Sequence, residues 1–212
     1  MNLPPGPIRI KVCGITRKSD AEALDALGVD YLGFNFFAGS KRHVEPEAAA
    51  AMIAKLKRAQ PVGVFVDEAP DRIAAVAAMT GICLVQLHGG EGWEILSALA
   101  LPVIKALPHT RLRDFGGLKA GWDEAAAPEF FLVDTGAVSG FGGSGKSFDW
   151  SLLKTHPLPR PFFLAGGLGP ENLAPAIRRT RPYAVDLNSG LESAPGIKDI
   201  ALAEKCLALV KR

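Results

Sequence analysis

Two side chains that end apolar runs have the chemistry needed for proton transfer. Cys13 follows the run IRIKV (8–12), and Asp134 closes the run FFLVD (130–134). A carboxyl group at the end of a buried run is expected to have a raised pKa, which suits it to act as an acid. A lone cysteine in such a place is more often a small buried apolar side chain, and the residues alone leave that alternative open. An acid and a base facing each other across one site would support proton-transfer chemistry.

Two glycine-rich turns in the last quarter of the chain could bind a phosphate. The first contains Gly166 and Gly167, and the second contains Ser189 and Gly190. Glycine lets backbone N–H groups approach a phosphate closely, and the start of a following helix adds a favourable dipole. Ordinary turns are the alternative interpretation. In (β/α)₈ barrels, however, a phosphate often binds between the loops after strands 7 and 8, where these turns would fall.

The segment GFGGSGKS at 140–147 matches the nucleotide-binding pattern G-x-x-x-x-G-K-[ST] at every fixed position. A true P-loop follows its strand directly and opens a substantial helix. Here residues 135–139 intervene, and Pro157 follows soon after the segment. We therefore interpret it as a glycine-rich loop that closes over a barrel site. A nucleotide-driven switch or kinase is the alternative, and binding of ATP or GTP with magnesium would reveal it.

Eight apolar runs are the candidate strands that position these groups. Each run is continuous and rich in β-branched or aromatic residues, which is typical of strands buried on both faces of a parallel sheet. The runs are IRIKV (8–12), DYLGFNF (30–36), PVGVFV (61–66), CLVQL (83–87), PVIKAL (102–107), FFLVD (130–134), PFFLA (161–165) and YAVDL (183–187).

Helix signals separate these runs. The sequence SDAE at 19–22 predicts a capping box at the start of a helix that ends at Gly28. Pro46 and Pro70 predict two more helix starts, and Gly81 predicts the end of the second of these. Further helices are predicted at 91–99, at 109–128 with a break at its glycines, after Gly169 with an interruption at Pro175, and at 199–210.

Eight strand–helix units predict an α/β fold, a single (β/α)₈ TIM barrel. We expect one domain over residues 1–212, with residues 1–7 as a loose, proline-rich lead-in. An open, doubly wound sheet is the structural alternative. The barrel is favoured because the units number eight and the last two strands end in glycine-rich turns.

The overall composition argues against several classes of protein. The net charge is +2 with scattered Lys and Arg, so nucleic acid is not an expected partner. No run of 18 apolar residues predicts a membrane span, so a membrane is not expected either. Three cysteines at wide spacing, Cys13, Cys83 and Cys206, indicate neither a zinc site nor disulfides. We therefore expect no metal and a reducing, cytoplasmic location.

Six segments, in the same order along the chain, closely resemble the phosphoribosylanthranilate isomerase family. They are KVCGIT (11–16), GFNFFAGSKRHV (33–44), QLHG (86–89), VDT…GGSGKSFDW (133–150), AGGLGPENL (165–173) and DLNSGLE (186–192). The resemblance implies an isomerase of tryptophan biosynthesis. Its reaction would be the Amadori rearrangement of N-(5-phosphoribosyl)anthranilate to 1-(2-carboxyphenylamino)-1-deoxyribulose 5-phosphate. It also implies that GFGGSGKS belongs to the loop after strand 6.

The resemblance gives roles to particular residues. It implies that Asp134 is the general acid that protonates the furanose ring oxygen, and that Cys13, as a thiolate, removes the C2 proton. It implies that Arg42 binds the anthranilate carboxylate, for which an arginine fork is suited. Asp186 is predicted to orient substrate groups, with a structural carboxylate as the alternative. No metal or cofactor is implied, because the imine nitrogen accepts the electrons.

The partner expected from this chemistry is a small-molecule phosphosugar, and the chain would act as a monomer or homodimer. For Cys13 and Asp134 to hold their working forms together, burial should raise the pKa of the carboxyl and nearby cations should lower that of the thiol. Another phosphosugar isomerase or epimerase barrel is an alternative, as is a phosphate-binding barrel without activity. The histidine-pathway isomerase would be expected to have an aspartate instead of Cys13.

The chain departs from the family pattern in the segments quoted. Lys41 stands where proline often precedes the arginine, Asn35 replaces an apolar residue, and Asn188 replaces the first serine of the last segment. We expect His88 to be a strand-end histidine that is bonded to backbone and shapes the floor of the site. The sequence assigns no role to three charged residues near strand ends, Asp67, Lys105 and Glu192.

Overall fold

Eight parallel strands close into a barrel in the computed structural model, which describes residues 6–114, 127–134 and 149–211. The strands are β1 (Arg9–Cys13), β2 (Tyr31–Asn35), β3 (Gln60–Phe65), β4 (Leu84–Leu87), β5 (Val103–Pro108), β6 (Phe130–Asp134), β7 (Phe162–Leu164) and β8 (Ala184–Leu187). Pairing of β8 with β1, in the register Arg9 with Ala184 and Lys11 with Asp186, closes the ring. The predicted barrel is therefore confirmed, and the open sheet is excluded.

Helices and short segments connect the strands. The helices are α1 (Lys18–Leu27), α2 (Pro46–Ile53), α3 (Pro70–Thr80), α4 (Ile95–Ala98), α5 (Leu152–Thr155), α6 (Leu173–Thr180) and α7 (Ile200–Val210). Two 3₁₀ helices cover His109–Asp114 and Ser189–Leu191, and an antiparallel pair, β9 (Glu192–Ala194) and β10 (Ile197–Lys198), lies between β8 and α7. Within the described ranges, every helix is too short or too polar to cross a lipid bilayer.

Most of the predicted helix ends are confirmed. Pro46 and Pro70 lie in the first turns of α2 and α3, and Gly28 and Gly81 end α1 and α3 in the left-handed conformation. Glycine adopts that conformation without the steric cost that a Cβ atom would bring. Of the helix predicted at 91–99, only α4 (Ile95–Ala98) is helical. In the segment predicted at 109–128, His109–Asp114 form a 3₁₀ helix, and residues 115–126 lie outside the described residues.

Two helix predictions are wrong. The capping box at 19–22 is absent, because α1 begins at Lys18 after Arg17, and Ser19 bonds the Asp20 carboxylate instead. Pro175 does not interrupt a helix, since it lies in the first turn of α6. Backbone N–H groups of a first turn have no acceptor within the helix, so a proline there removes no helical hydrogen bond.

Side chains of the strands alternate between two environments. Ile10 and Val12 of β1 pack outward in the core shared with the helices, so Lys11 and Cys13 face the barrel interior. The lower interior is apolar and takes residues from every strand except β1. Above that layer, toward the carboxyl ends of the strands, the interior becomes charged. This arrangement places the polar chemistry at one mouth of the barrel, as is usual for this fold.

Candidate active site

All eight predicted site residues line one cavity at the carboxyl ends of the strands. The cavity holds about 800 Å³ of space, including its solvent-filled mouth, which is within the range of small-molecule sites. Strand ends supply Cys13, Asp134 and Asp186. Loops supply Arg42, Gly166, Gly167, Ser189 and Gly190.

The Cys13 thiol lies where two glycines leave room for its neighbours. A Cβ atom on Gly33 of β2 would lie 2.8 Å from the sulfur, too close for any side chain there. Gly14 adopts a φ of +76°, and a Cβ on it would meet Arg42 Cδ at 2.5 Å. The glycine after Cys13 is therefore required both by the backbone turn and by the Arg42 side chain that crosses it.

The surroundings of Cys13 do not lower its pKa as we expected. Burial raises the pKa of the thiol, and this effect outweighs the attraction of the Lys11 and Lys198 ammonium groups. Asp186 acts in the same direction as burial. Burial therefore disfavours the thiolate form of Cys13 in this site.

Asp134 faces a histidine. His88 Nε2 lies 3.6 Å from Asp134 Oδ2, while Gln86 Nε2 donates to His88 Nδ1 over 2.8 Å. With Nδ1 accepting this bond, the neutral ring carries its proton on Nε2, toward the aspartate. The expected bond from the His88 side chain to backbone is therefore replaced by contacts with two other side chains, while its expected place at the site agrees with the structure, since it lines the cavity.

Arg42 forms a two-pronged ion pair with Glu192. Arg42 Nε and Nη2 donate to the two carboxylate oxygens over 2.8 and 2.6 Å. Glu192 also accepts from Lys198 Nζ at 2.8 Å. Burial would raise the pKa of Glu192, but the bonds from Arg42 and Lys198 outweigh it and lower that pKa. Glu192, which the sequence left without a role, thus fixes one edge of the Arg42 guanidinium.

The departures from the family pattern have local structural consequences. Asn35 accepts from Phe37 N and donates to Ser40 Oγ, and Ser40 Oγ in turn accepts from Arg42 N at 3.1 Å. This loop places Arg42, while Lys41 is exposed to solvent. Asn188 accepts from Lys198 Nζ at 3.0 Å, so its amide joins the charged network beside Cys13.

The two glycine turns, which follow β7 and β8, meet at one side of the cavity. Gly166 and Gly167 adopt φ values of +94° and +62°. Gly190 packs so closely on the Leu168 carbonyl that a Cβ atom would clash with it. Ser189 opens the 3₁₀ helix beside them, and all four predicted phosphate-binding residues line the cavity.

Other charged residues near strand ends have structural contacts. Asp186 is buried and accepts from Lys11 Nζ at 2.9 Å, and burial raises its pKa against the effect of that lysine. Lys105 Nζ lies 2.6 Å from Glu91, whose carboxylate also accepts from Asp67 N. Lys105, Glu91 and Asp67 do not line the cavity. Among the acidic residues of these contacts, only Asp186 faces it.

The fold and the site together define a barrel enzyme whose chemistry lies at the carboxyl ends of its strands. The chain belongs to the N-(5′-phosphoribosyl)anthranilate (PRA) isomerase family, whose family model matches residues 10–208. A relative from Myxococcus xanthus, an N-(5′-phosphoribosyl)anthranilate isomerase, is 45% identical over 199 residues, 91% of each chain. The resemblance seen in the six sequence segments is thereby confirmed.

Solved structures of phosphoribosyl anthranilate isomerases are similar to this chain. The phosphoribosyl anthranilate isomerase of Thermotoga maritima is 38% identical, with a TM-score of 0.84, and the match covers 96% of this chain and 98% of that one. Another structure, of a phosphoribosyl anthranilate isomerase in complex with reduced 1-(o-carboxyphenylamino)-1-deoxyribulose 5-phosphate, is 35% identical over the same shares of the two chains, with a TM-score of 0.82. The segment GFGGSGKS lies outside the described residues.

Proposed function

We propose that this chain catalyses the Amadori rearrangement of N-(5′-phosphoribosyl)anthranilate in tryptophan biosynthesis. One observation carries the proposal: a thiol, a carboxyl and two glycine turns line a single cavity, in a chain that matches the family model over residues 10–208. A relative that is 35% identical binds a reduced form of the product, so the same small-molecule class is the proposed ligand here.

The proposed reaction begins with ring opening. Asp134 gives a proton to the furanose ring oxygen, the C1–O bond breaks, and the anthranilate nitrogen shares its lone pair with C1 to form a Schiff base. Cys13, as thiolate, then takes the C2 proton, and the electron pair moves through C1 to the nitrogen. The resulting enolamine gains a proton at C1 and loses the one on its C2 hydroxyl, which leaves the ketone.

The remaining residues bind the two ends of the substrate. Gly166, Gly167, Ser189 and Gly190 hold the phosphate through backbone N–H groups and a hydroxyl. At the other end, Arg42 binds the anthranilate carboxylate through the edge of its guanidinium group that is not bonded to Glu192. Asp186 orients a sugar hydroxyl from the strand end between them.

A coupled assay with freshly generated phosphoribosylanthranilate tests the proposal. Wild-type protein should convert the substrate, while Cys13→Ser and Asp134→Asn should each lose more than about 10²-fold in kcat, the lower range for general acid–base catalysis. Cys206→Ser, at a buried thiol outside the cavity, is the matched control and should keep wild-type activity. Near wild-type activity in Cys13→Ser would overturn the mechanism.

The setting of this activity is also proposed. The three cysteines are free thiols, which supports a reducing cytoplasmic location. The chain is proposed to act without a cofactor, as a monomer or homodimer. Light scattering during size-exclusion chromatography measures the oligomeric state directly.

A further inference from the structure

Lys11 is a fully buried charge in the barrel interior. Its exposed fraction is 0%, and it is among the largest completely buried side chains of the described residues. Its ammonium group donates to Asp186 across the β1–β8 seam at 2.9 Å. Burying two charges is unfavourable even when they pair, and an apolar side chain of similar size often packs as well. A lysine at this position therefore suggests a role besides packing.

The Lys11 ammonium shares a small space with the Cys13 sulfur. The two residues are separated by one position on β1, so both point into the barrel. A Cβ atom built on Gly33 would lie 2.8 Å from Cys13 Sγ and 3.3 Å from Lys11 Nζ. Since Gly33 has no side chain, nothing from β2 separates the cation from the sulfur.

Charged groups face Cys13 from four elements. Lys11 comes from β1, Asp186 from β8, Lys198 from β10, and Arg42 from the loop after β2. Asp134 and His88 face Asp186 from β6 and from the end of β4. Lys198 and Arg42 are both bound to Glu192, and of the cations Lys11 stabilises the thiolate most.

We propose that Lys11, held by Asp186, is a positioning residue that keeps part of Cys13 in the thiolate form and so sets the supply of base for proton removal. Only the S–H bond changes in this step. The sulfur releases its proton to solvent in the cavity, and Lys11 keeps its own three. The inference rests on the proposed function in that it takes Cys13 to be the base.

The test is the pH dependence of Cys13 alkylation in the whole protein. Iodoacetamide reacts with thiolate, and mass spectrometry of the Cys13 peptide separates this site from Cys83 and Cys206. In Lys11→Met the midpoint of the alkylation rate should rise by about one pH unit, so the rate at pH 7.5 should fall about tenfold. The isomerase pH profile, measured in parallel, should show its rising limb displaced in the same direction.

Lys105→Met is the matched control. It also removes a buried lysine from an ion pair, here 2.6 Å from Glu91, but that pair does not line the cavity. The Cys13 midpoint should stay at its wild-type value in this variant. A rise equal to that of Lys11→Met would mean that loosening the barrel, rather than the charge, controls Cys13, and would overturn the proposal.

A double variant provides a second test in case Lys11→Met alone fails to fold. Lys11→Met leaves Asp186 without its cation, whereas Lys11→Met with Asp186→Asn removes both charges. Because Lys11 lowers the pKa of Cys13 more than Asp186 raises it, the midpoint of Cys13 alkylation in the double variant should still lie above the wild-type midpoint. An unchanged midpoint in the folded variants refutes the role of Lys11 and leaves the proposed function intact. Wild-type protein without isomerase activity, but with a Lys11-dependent midpoint, refutes the proposed function and supports the role of Lys11.

Discussion

Glu192 accepts hydrogen bonds from two cations that border the Cys13 thiol. Arg42 donates through two nitrogens, one to each carboxylate oxygen. Lys198 Nζ and the backbone N–H of Gly196 also donate to one of these oxygens, at 2.8 and 3.1 Å. A guanidinium held on one edge is pre-oriented, so less side-chain freedom is lost when its other edge binds a carboxylate. Glu192 should therefore influence substrate binding without touching the substrate.

A double-mutant cycle measures this influence. Arg42→Ala should cost roughly 2–4 kcal/mol in kcat/KM, the scale for losing a charged hydrogen-bonded contact. Glu192→Gln should cost less, about 1–2 kcal/mol, mainly through KM, because it leaves the guanidinium present but less ordered. Since Glu192 acts through Arg42, combining the two substitutions should cost no more than Arg42→Ala alone. Steady-state kinetics of the four proteins supply the comparison.

The control for this cycle is Glu22→Gln. It removes an exposed partner of Lys18 on α1 that does not line the cavity, and it should leave both kinetic constants unchanged. Additive losses in the Arg42 and Glu192 cycle would show that the two residues act independently. In that event the ion pair has no part in substrate binding.

At the scale of elements, one aspartate joins α1 to the segment that enters β3. The Asp25 carboxylate accepts from the backbone N–H groups of Lys57, Arg58 and Ala59 at 3.0, 2.9 and 2.7 Å. Burial raises its pKa, but the three bonds outweigh burial and lower it. These donors have no strand or helix partner of their own, so Asp25 substitutes for regular structure there.

Asp25→Asn should destabilise the protein by about 2–3 kcal/mol at pH 7, because an amide cannot accept all three bonds. Since folding lowers the pKa of Asp25, its contribution is present above the unfolded value and is lost as pH falls below about 4. The difference between variant and wild type should shrink in that range. Denaturant unfolding at several pH values measures it, with Glu22→Gln as an exposed control. A difference that stays constant with pH would refute this account.

The sequence predicts the strands and helices better than it predicts which side chains pair with each other in the fold. Continuous apolar runs located the strands, because a strand buried on both faces must be apolar throughout. The ion pair of Lys11 with Asp186 spans 175 positions, and the pair of Arg42 with Glu192 spans 150, so no local pattern reveals either. The capping box failed because α1 begins at Lys18 and Ser19 bonds Asp20, whose carboxylate also accepts from Lys198 N, 178 positions away.

The predicted site residues share one cavity for a different reason. Family motifs lie at strand ends and turns, and closing the barrel brings those ends together. The bond of His88 to Gln86 was missed because Gln86, two positions earlier on β4, looks like an ordinary buried polar residue in the sequence. A lysine inside the apolar run IRIKV was the one local signal that pointed to Lys11.

At the scale of the whole molecule, the apolar core and the cavity at the carboxyl ends of the strands occupy different parts of the barrel. Clusters of buried apolar side chains fill the lower interior and the layer between strands and helices, while Cys13, Asp134 and Asp186 line the cavity at the carboxyl ends of the strands. A ligand that fills this mouth binds the closed barrel and not the unfolded chain, so it should stabilise the folded protein. Thermal stability therefore reports which ligands the site accepts.

Thermal unfolding distinguishes the phosphosugar site from a nucleotide site at GFGGSGKS (140–147). A reduced product analogue at 100 times its Kd should stabilise the protein by about 2.7 kcal/mol, which raises Tm by roughly 5–10 °C for a chain of this size. Millimolar ATP with magnesium should leave Tm unchanged. The variant Lys146→Ala separates the two kinds of binding, because a P-loop uses this lysine to hold its phosphates. A rise in Tm with ATP that disappears in Lys146→Ala would establish nucleotide binding at the loop and contradict its interpretation as part of the isomerase site.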